Sequence, residues 1–153
     1  MNSKVLILGL LLFSFLGFGQ KENNRALAYN LKEGLAIQGY DPVSYFEDAK
    51  AVKGSDKIRV TYQKVIYNFS SEKNKQLFLK NPSHYEPQYG GWCAYAVGKS
   101  AEKVAVNPST FKIVDGKLYL FYNAFFNNTL KDWNKDEVRL KLKANENWTK
   151  MIQ

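Results

Sequence analysis

Two short runs of β-branched and aromatic residues, Ile58–Tyr62 and Val65–Phe69, are separated by the polar pair Gln63-Lys64. Runs of that kind joined by two polar residues predict a β-hairpin. A second pair, Phe111–Val114 and Leu118–Tyr122, flanks Asp115-Gly116-Lys117, and Asp-Gly tolerates the positive φ that a tight hairpin turn needs. Between the hairpins, Ser70 or Ser71 stands as a helix N-cap ahead of Glu72–Lys80, whose Leu77 and Phe78 face inward toward Tyr85. Asn81-Pro82 closes that helix and opens a short turn. Trp92–Val97 alternates and predicts a strand, with Gly90-Gly91 as a bulge before it and a polar loop over residues 98–107 after it. Asn123 predicts the cap of a helical tail, in which Trp133, Leu140, Ala144, Trp148 and Met151 fall at helical spacing and form one aromatic-rich stripe.

Upstream, Ile37–Phe46 is apolar but broken by Gly39 and Pro42, which predicts a turn feeding a strand or a short helical turn. Ala49–Lys57 is a charged surface loop, and Lys21–Asn30 a polar lead-in with room for one helical turn. The predicted architecture is α+β: a small antiparallel sheet of hairpins with a short central helix and a C-terminal helical tail packed on it.

The first residues have a different character. Lys4 precedes the apolar run Val5–Leu16, and Gly17-Phe18-Gly19 places small residues at the positions a signal peptidase reads before Gln20. This predicts a signal peptide over residues 1–19, a lead-in over 20–36 and one domain over 37–153. The run is short for a bilayer span, so the mature chain is expected in the periplasm or outside the cell, with no membrane insertion.

Charge and cysteine count narrow the picture further. The net charge is +8, but lysines are spread along the chain with acids among them. There is no basic block of the kind that tracks nucleic acid, and an exported protein meets no chromosome. A single cysteine cannot form an internal disulfide, so the fold must rest on its core.

The chemistry concentrates in His84–Val97, which holds the only His and the only Cys. Thiolate and imidazole suit copper and zinc, with Asp41, Tyr85, Tyr89 or Glu86 as a third ligand. The alternative for each residue is structural: a His84 ring stacked among Tyr40, Tyr85 and Tyr89, and a Cys93 filling space in a central strand. A Cys93–His84 dyad oriented by Asp41 would instead make a nucleophile. Tyr40, Tyr45, Tyr85, Tyr89, Trp92 and Tyr95, with Gly90 and Gly91, could line an apolar pocket with polar tips.

The order of motifs resembles the YHS-domain family in its exported single-domain branch. The resemblance is carried by residues 39–46 (GYDPVSYF), 67–72 (YNFSSE), 81–85 (NPSHY), 88–97 (QYGGWCAYAV), 114–120 (VDGKLYL) and 144–148 (ANENW). Relatives in copper-transporting ATPases and hydroxylases are thought to bind metal through cysteines. The corresponding positions here are Ser44, Ser70 and Asn74, and Asn68 stands where the family name places a His.

The leading expectation is therefore an exported, non-enzymatic YHS-like domain that binds copper, zinc or a small ligand near His84, Cys93 and Asp41. The alternative is a metal-free, aromatic-lined ligand-binding or protein-interaction module. A third reading is a thiol-dependent enzyme or redox partner. A lone exported cysteine also offers a route to a Cys93-linked homodimer.

Overall fold

The computed structural model describes residues 25–153; the signal peptide expected over residues 1–19 lies outside them. The two hairpins form at the residues whose composition predicts them. Strand β3 (Ser55–Tyr62) pairs antiparallel with β4 (Val65–Phe69) in the register Tyr62↔Val65. Gln63 and Lys64 both take positive φ, so the turn has the twist that suits a hairpin without the usual Asn-Gly. Strand β5 (Asn107–Val114) pairs with β6 (Lys117–Phe121) around Asp115-Gly116.

Before these, β1 (Leu31–Lys32) and β2 (Leu35–Ala36) extend the first sheet, giving the order β1-β2-β4-β3. The β2–β4 pairing is parallel, so the sheet is mixed, and residues assigned to the lead-in supply two of its strands. A 3-10 turn (Ile37–Gly39) and the short helix α1 (Ser44–Glu47) follow, which realises the helical option for Ile37–Phe46. Helix α2 (Glu72–Lys80) is capped by Ser71, whose side chain accepts from the Asn74 N–H. Pro82 opens α3 (Pro82–Tyr85).

The segment after the Gly-Gly pair departs from expectation. Residues 94–100 form helix α4 (Ala94–Ser100), not a strand. Cys93, Ala94, Ala96, Val97 and Gly98 are all buried, and a helix buried on most sides leaves no polar face to betray its period. Its small residues have a second purpose. A Cβ on Gly98 would lie 2.6 Å from the Leu140 carbonyl oxygen, so glycine alone permits this approach to the last helix.

The helical tail is split in two: α5 (Thr129–Lys135) and α6 (Glu137–Met151). Trp133 belongs to the first, and Leu140, Ala144, Trp148 and Met151 to the second. Asn123 does not cap the tail. It opens a third hairpin, β7 (Asn123–Ala124) with β8 (Asn127–Asn128), and Asn128 caps α5 through its side chain.

Strand β6 is the wall between two halves of the core. Leu118 and Leu120 face a cluster with Val43, Tyr45, Val65, Tyr67, Phe69, Phe78 and Cys93. Tyr119 and Phe121 face the other way, toward Ala94, Val97, Trp133, Leu140 and Ala144. This is the two-residue alternation of a strand buried on both sides.

Candidate functional site

Residues 86–93 run beside β6, joined to it by bridges at Pro87↔Leu118 and Cys93↔Leu120. Within them Gln88–Gly91 form a 3-10 turn in which Tyr89, Gly90 and Gly91 all take positive φ. The Gly-Gly pair is thus a tight turn instead of a strand bulge. It receives the protein's own N-terminal segment: the Asn30 N–H donates to the Gly90 carbonyl at 2.9 Å, and Asn30 Nδ2 to that of Gly91 at 3.0 Å. A Cβ on Gly90 would meet the Tyr29 ring at 2.8 Å and Trp148 at 3.1 Å. The close approach that glycine allows here is made by the chain itself. Trp92 joins the same contact, donating from Nε1 to the Ala28 carbonyl at 2.7 Å.

Glu86 is buried, and its Oε1 accepts from the Tyr67 hydroxyl and from Arg25 Nη2. The Arg25 guanidinium lies 4.8 Å from the Tyr29 ring centroid and 5.3 Å from that of Tyr62. Burial raises the Tyr67 pKa, with the Arg25 charge opposing it. Glu86 is therefore the internal anchor of residues 25–30.

Asp41, His84 and Cys93 occupy three different environments. Asp41 is fully buried. Its Oδ1 accepts from the Val43 N–H at 2.8 Å. Its Oδ2 accepts from the Ser70 N–H at 2.8 Å, the Ser70 hydroxyl at 2.6 Å and Asn74 Nδ2 at 2.8 Å. The Ser44 hydroxyl donates to the Asp41 carbonyl at 2.8 Å. Of Ser44, Ser70 and Asn74, the positions where YHS relatives carry cysteines, Ser70 and Asn74 thus meet at the Asp41 carboxylate and Ser44 at its backbone carbonyl.

His84 is exposed on α3, its ring 4.8 Å from that of Phe46 and 4.7 Å from that of Tyr85. It stacks with Tyr85 as expected, with Phe46 taking the place given to Tyr40 and Tyr89. Cys93 is fully buried. The Tyr122 N–H donates to its Sγ at 3.3 Å, and Sγ lies 3.4 Å from Thr129 Oγ1. The Thr129 hydroxyl donates to the Tyr122 carbonyl at 2.9 Å. With Asp41 committed to four donors, His84 on the surface and Cys93 fully buried, the three lie in separate surroundings and do not fit a copper or zinc centre. Among the described residues no three His, Cys, Asp or Glu side chains gather into a group able to hold a metal ion.

The aromatic set is also dispersed. Tyr45 donates its hydroxyl to the Pro108 carbonyl at 2.9 Å, and burial raises its pKa. The Tyr40 ring faces Lys53 Nζ at 4.7 Å. Tyr85 is buried against Phe46. Tyr89 and Gly90 line a cleft of about 320 Å³ with Tyr29, Glu86, Asn145 and Trp148. Two of its polar contacts are already made, Tyr89 donating to Asn145 Oδ1 at 2.9 Å and Glu86 holding Arg25.

A larger cleft, about 430 Å³, lies over Cys93. Its walls are the outer half of α4 with the loop after it, carrying Tyr95, Lys99 and Glu102, and the base of the β7–β8 hairpin, carrying Tyr122, Asn127 and Thr129. Lys99 Nζ donates to the Tyr95 hydroxyl at 2.9 Å, which raises the lysine's pKa. The Ser100 hydroxyl donates to Glu102 Oε2 at 3.0 Å. Only Cys93 and Tyr95 of this cleft are legible as site residues in the sequence. The others come from separate elements, and no spacing rule links them. No family model, curated protein or solved structure matches the chain.

Proposed function

We propose that this chain is an exported, non-enzymatic YHS-like binding domain that holds a small zwitterionic molecule in the cleft over Cys93. The observation that carries the reading is one cavity with a cation, an anion and two tyrosines on its walls, Lys99, Glu102, Tyr95 and Tyr122. Its volume falls in the range of small-molecule sites, which combine apolar walls with a few placed polar groups. Lys99 suits a carboxylate and Glu102 an ammonium, and the tyrosines suit the apolar body between them. The family reading is supported by the meeting of Ser44, Ser70 and Asn74 at Asp41. The binding reading is preferred to thiol chemistry because Cys93 is fully buried and no imidazole contacts it.

The test is a titration followed by amide chemical shifts, using free amino acids and dipeptides as probes. Saturable shifts at Tyr95, Lys99 and Thr129 are expected, weakened in Lys99→Met and in Glu102→Gln. Shifts elsewhere, or shifts indifferent to both substitutions, would remove the cleft as the site. Elemental analysis of protein prepared without chelators, beside Cys93→Ser and His84→Ala, tests the copper or zinc reading. Near-stoichiometric metal lost in both variants would restore it.

A further inference from the structure

We infer that the tip of the β7–β8 hairpin, Phe125-Phe126, is an interfacial anchor that seats the protein on an anionic lipid surface. This inference is independent of the cleft and its ligand. The two rings are wholly exposed, at 96% and 108% of the reference area. Adjacent apolar side chains at full exposure are an exception that calls for a reason. The chain also accepts backbone strain to present them: Phe125 sits at φ +55°, where asparagine or glycine is the usual occupant.

The tip is held on a fixed base. Asn123 pairs with Asn128, and its Nδ2 donates to Thr110 Oγ1 at 3.0 Å. The Asn128 side chain accepts from the Leu130 N–H at 3.1 Å, and the Thr129 N–H donates to the Tyr122 carbonyl at 3.0 Å. The arms carry Asn123, Ala124, Asn127 and Asn128. Only the two rings are suited to leave water, which limits the contact to ring depth.

Area and charge select the occupant. Two phenylalanines offer roughly 300–500 Å² between them, less than the ~600 Å² that each partner gives to even a small specific protein–protein interface. A lipid interface needs no such footprint, since it takes up each ring singly and adds attraction for basic charge. Lys131 is exposed in the first turn of α5, directly after β8. The acid beside Lys131 is paired, Asp132 with Lys135 at 2.7 Å. Over the whole chain 22 Lys and Arg outnumber 14 Asp and Glu. No described helix is long and apolar enough to cross a membrane, so the contact is peripheral.

The experiment is co-sedimentation of the full chain with vesicles of phosphatidylcholine alone or with about one third phosphatidylglycerol. Every variant carries the same N-terminus, so any contribution of Val5–Leu16 cancels in the difference between variants. That difference is expected on the anionic vesicles only, and to weaken with salt. Phe125→Ser and Phe126→Ser should each lower partitioning about tenfold, and Lys131→Gln about fivefold. Circular dichroism should be unchanged, because the tip packs on nothing. A double Phe variant that binds like wild type overturns the proposal, as does an equal loss of binding in that variant on neutral vesicles. Self-association that disappears in the double variant, or capture of a protein partner without vesicle binding, also overturns it by assigning the tip to a different occupant.

Discussion

Replacing Asp41 by alanine removes the acceptor of four donors at once: two backbone N–H groups, a hydroxyl and an amide. Hydrogen bonds to a charged group contribute roughly 1.5–3 kcal/mol each, and buried donors left without partners cost about 1–3 kcal/mol. Four such terms do not add, because they share one acceptor, and removing a buried carboxylate also relieves its desolvation. A net loss of about 3–5 kcal/mol follows, at the upper end of what single substitutions cost. Against a total of about 5–15 kcal/mol for a domain, that leaves the fold marginal. Asp41→Asn should be milder, about 2 kcal/mol. Its carbonyl oxygen can face the three donors at Oδ2, but its NH₂ then confronts the Val43 N–H. Urea unfolding of the three proteins, read by tryptophan fluorescence, gives both differences. An Asp41→Ala protein within about 1 kcal/mol of wild type would refute the view that this carboxylate holds the turn at 41–44 to α2.

Two further predictions concern other buried polar groups. Burial is the main force raising the pKa values of Tyr45, Tyr67 and Tyr89. The unfolded chain releases those protons near pH 10 while the folded chain keeps them, so their stabilisation is complete below that pH and is lost above it. An alkaline absorbance titration should show these three silent until the protein unfolds; all ten tyrosines ionising together in the native state would contradict this. Arg25→Met leaves Glu86 buried without its cation, which should cost about 2–3 kcal/mol and speed hydrogen exchange at the Asn30 amide. Unchanged exchange there would show that Arg25 does not secure the segment.

Both long hairpins were legible because their strands are runs of β-branched and aromatic residues and their turns are short and polar. Helix α2 was legible because Ser71 and Pro82 mark its limits. Helix α4 was not, since WCAYAV alternates by size while the helix it forms is buried on most sides. The β7–β8 hairpin was hidden for the opposite reason: its tip carries Phe-Phe where turn chemistry leads one to expect Asn or Gly. At the site, the sequence marked residues rich in chemistry but carried no sign of their surroundings. Asp41, a candidate ligand in the sequence, is the acceptor at the centre of a hydrogen-bond network. Lys99, Glu102 and Thr129 drew no notice, because only the packing of α4 against the β7–β8 base brings them together.

The turn at Gly90 lies beneath Tyr29 from the start of the described chain and Trp148 from its last helix. In synthesis Tyr29 is made long before Trp148. The turn at Gly90 therefore cannot be covered on both sides until α6 has been made. Contacts so distant in sequence slow folding, and they make the closure of this turn a late event. A chain interrupted anywhere before Trp148 would leave Tyr89 and Gly90 open on one side.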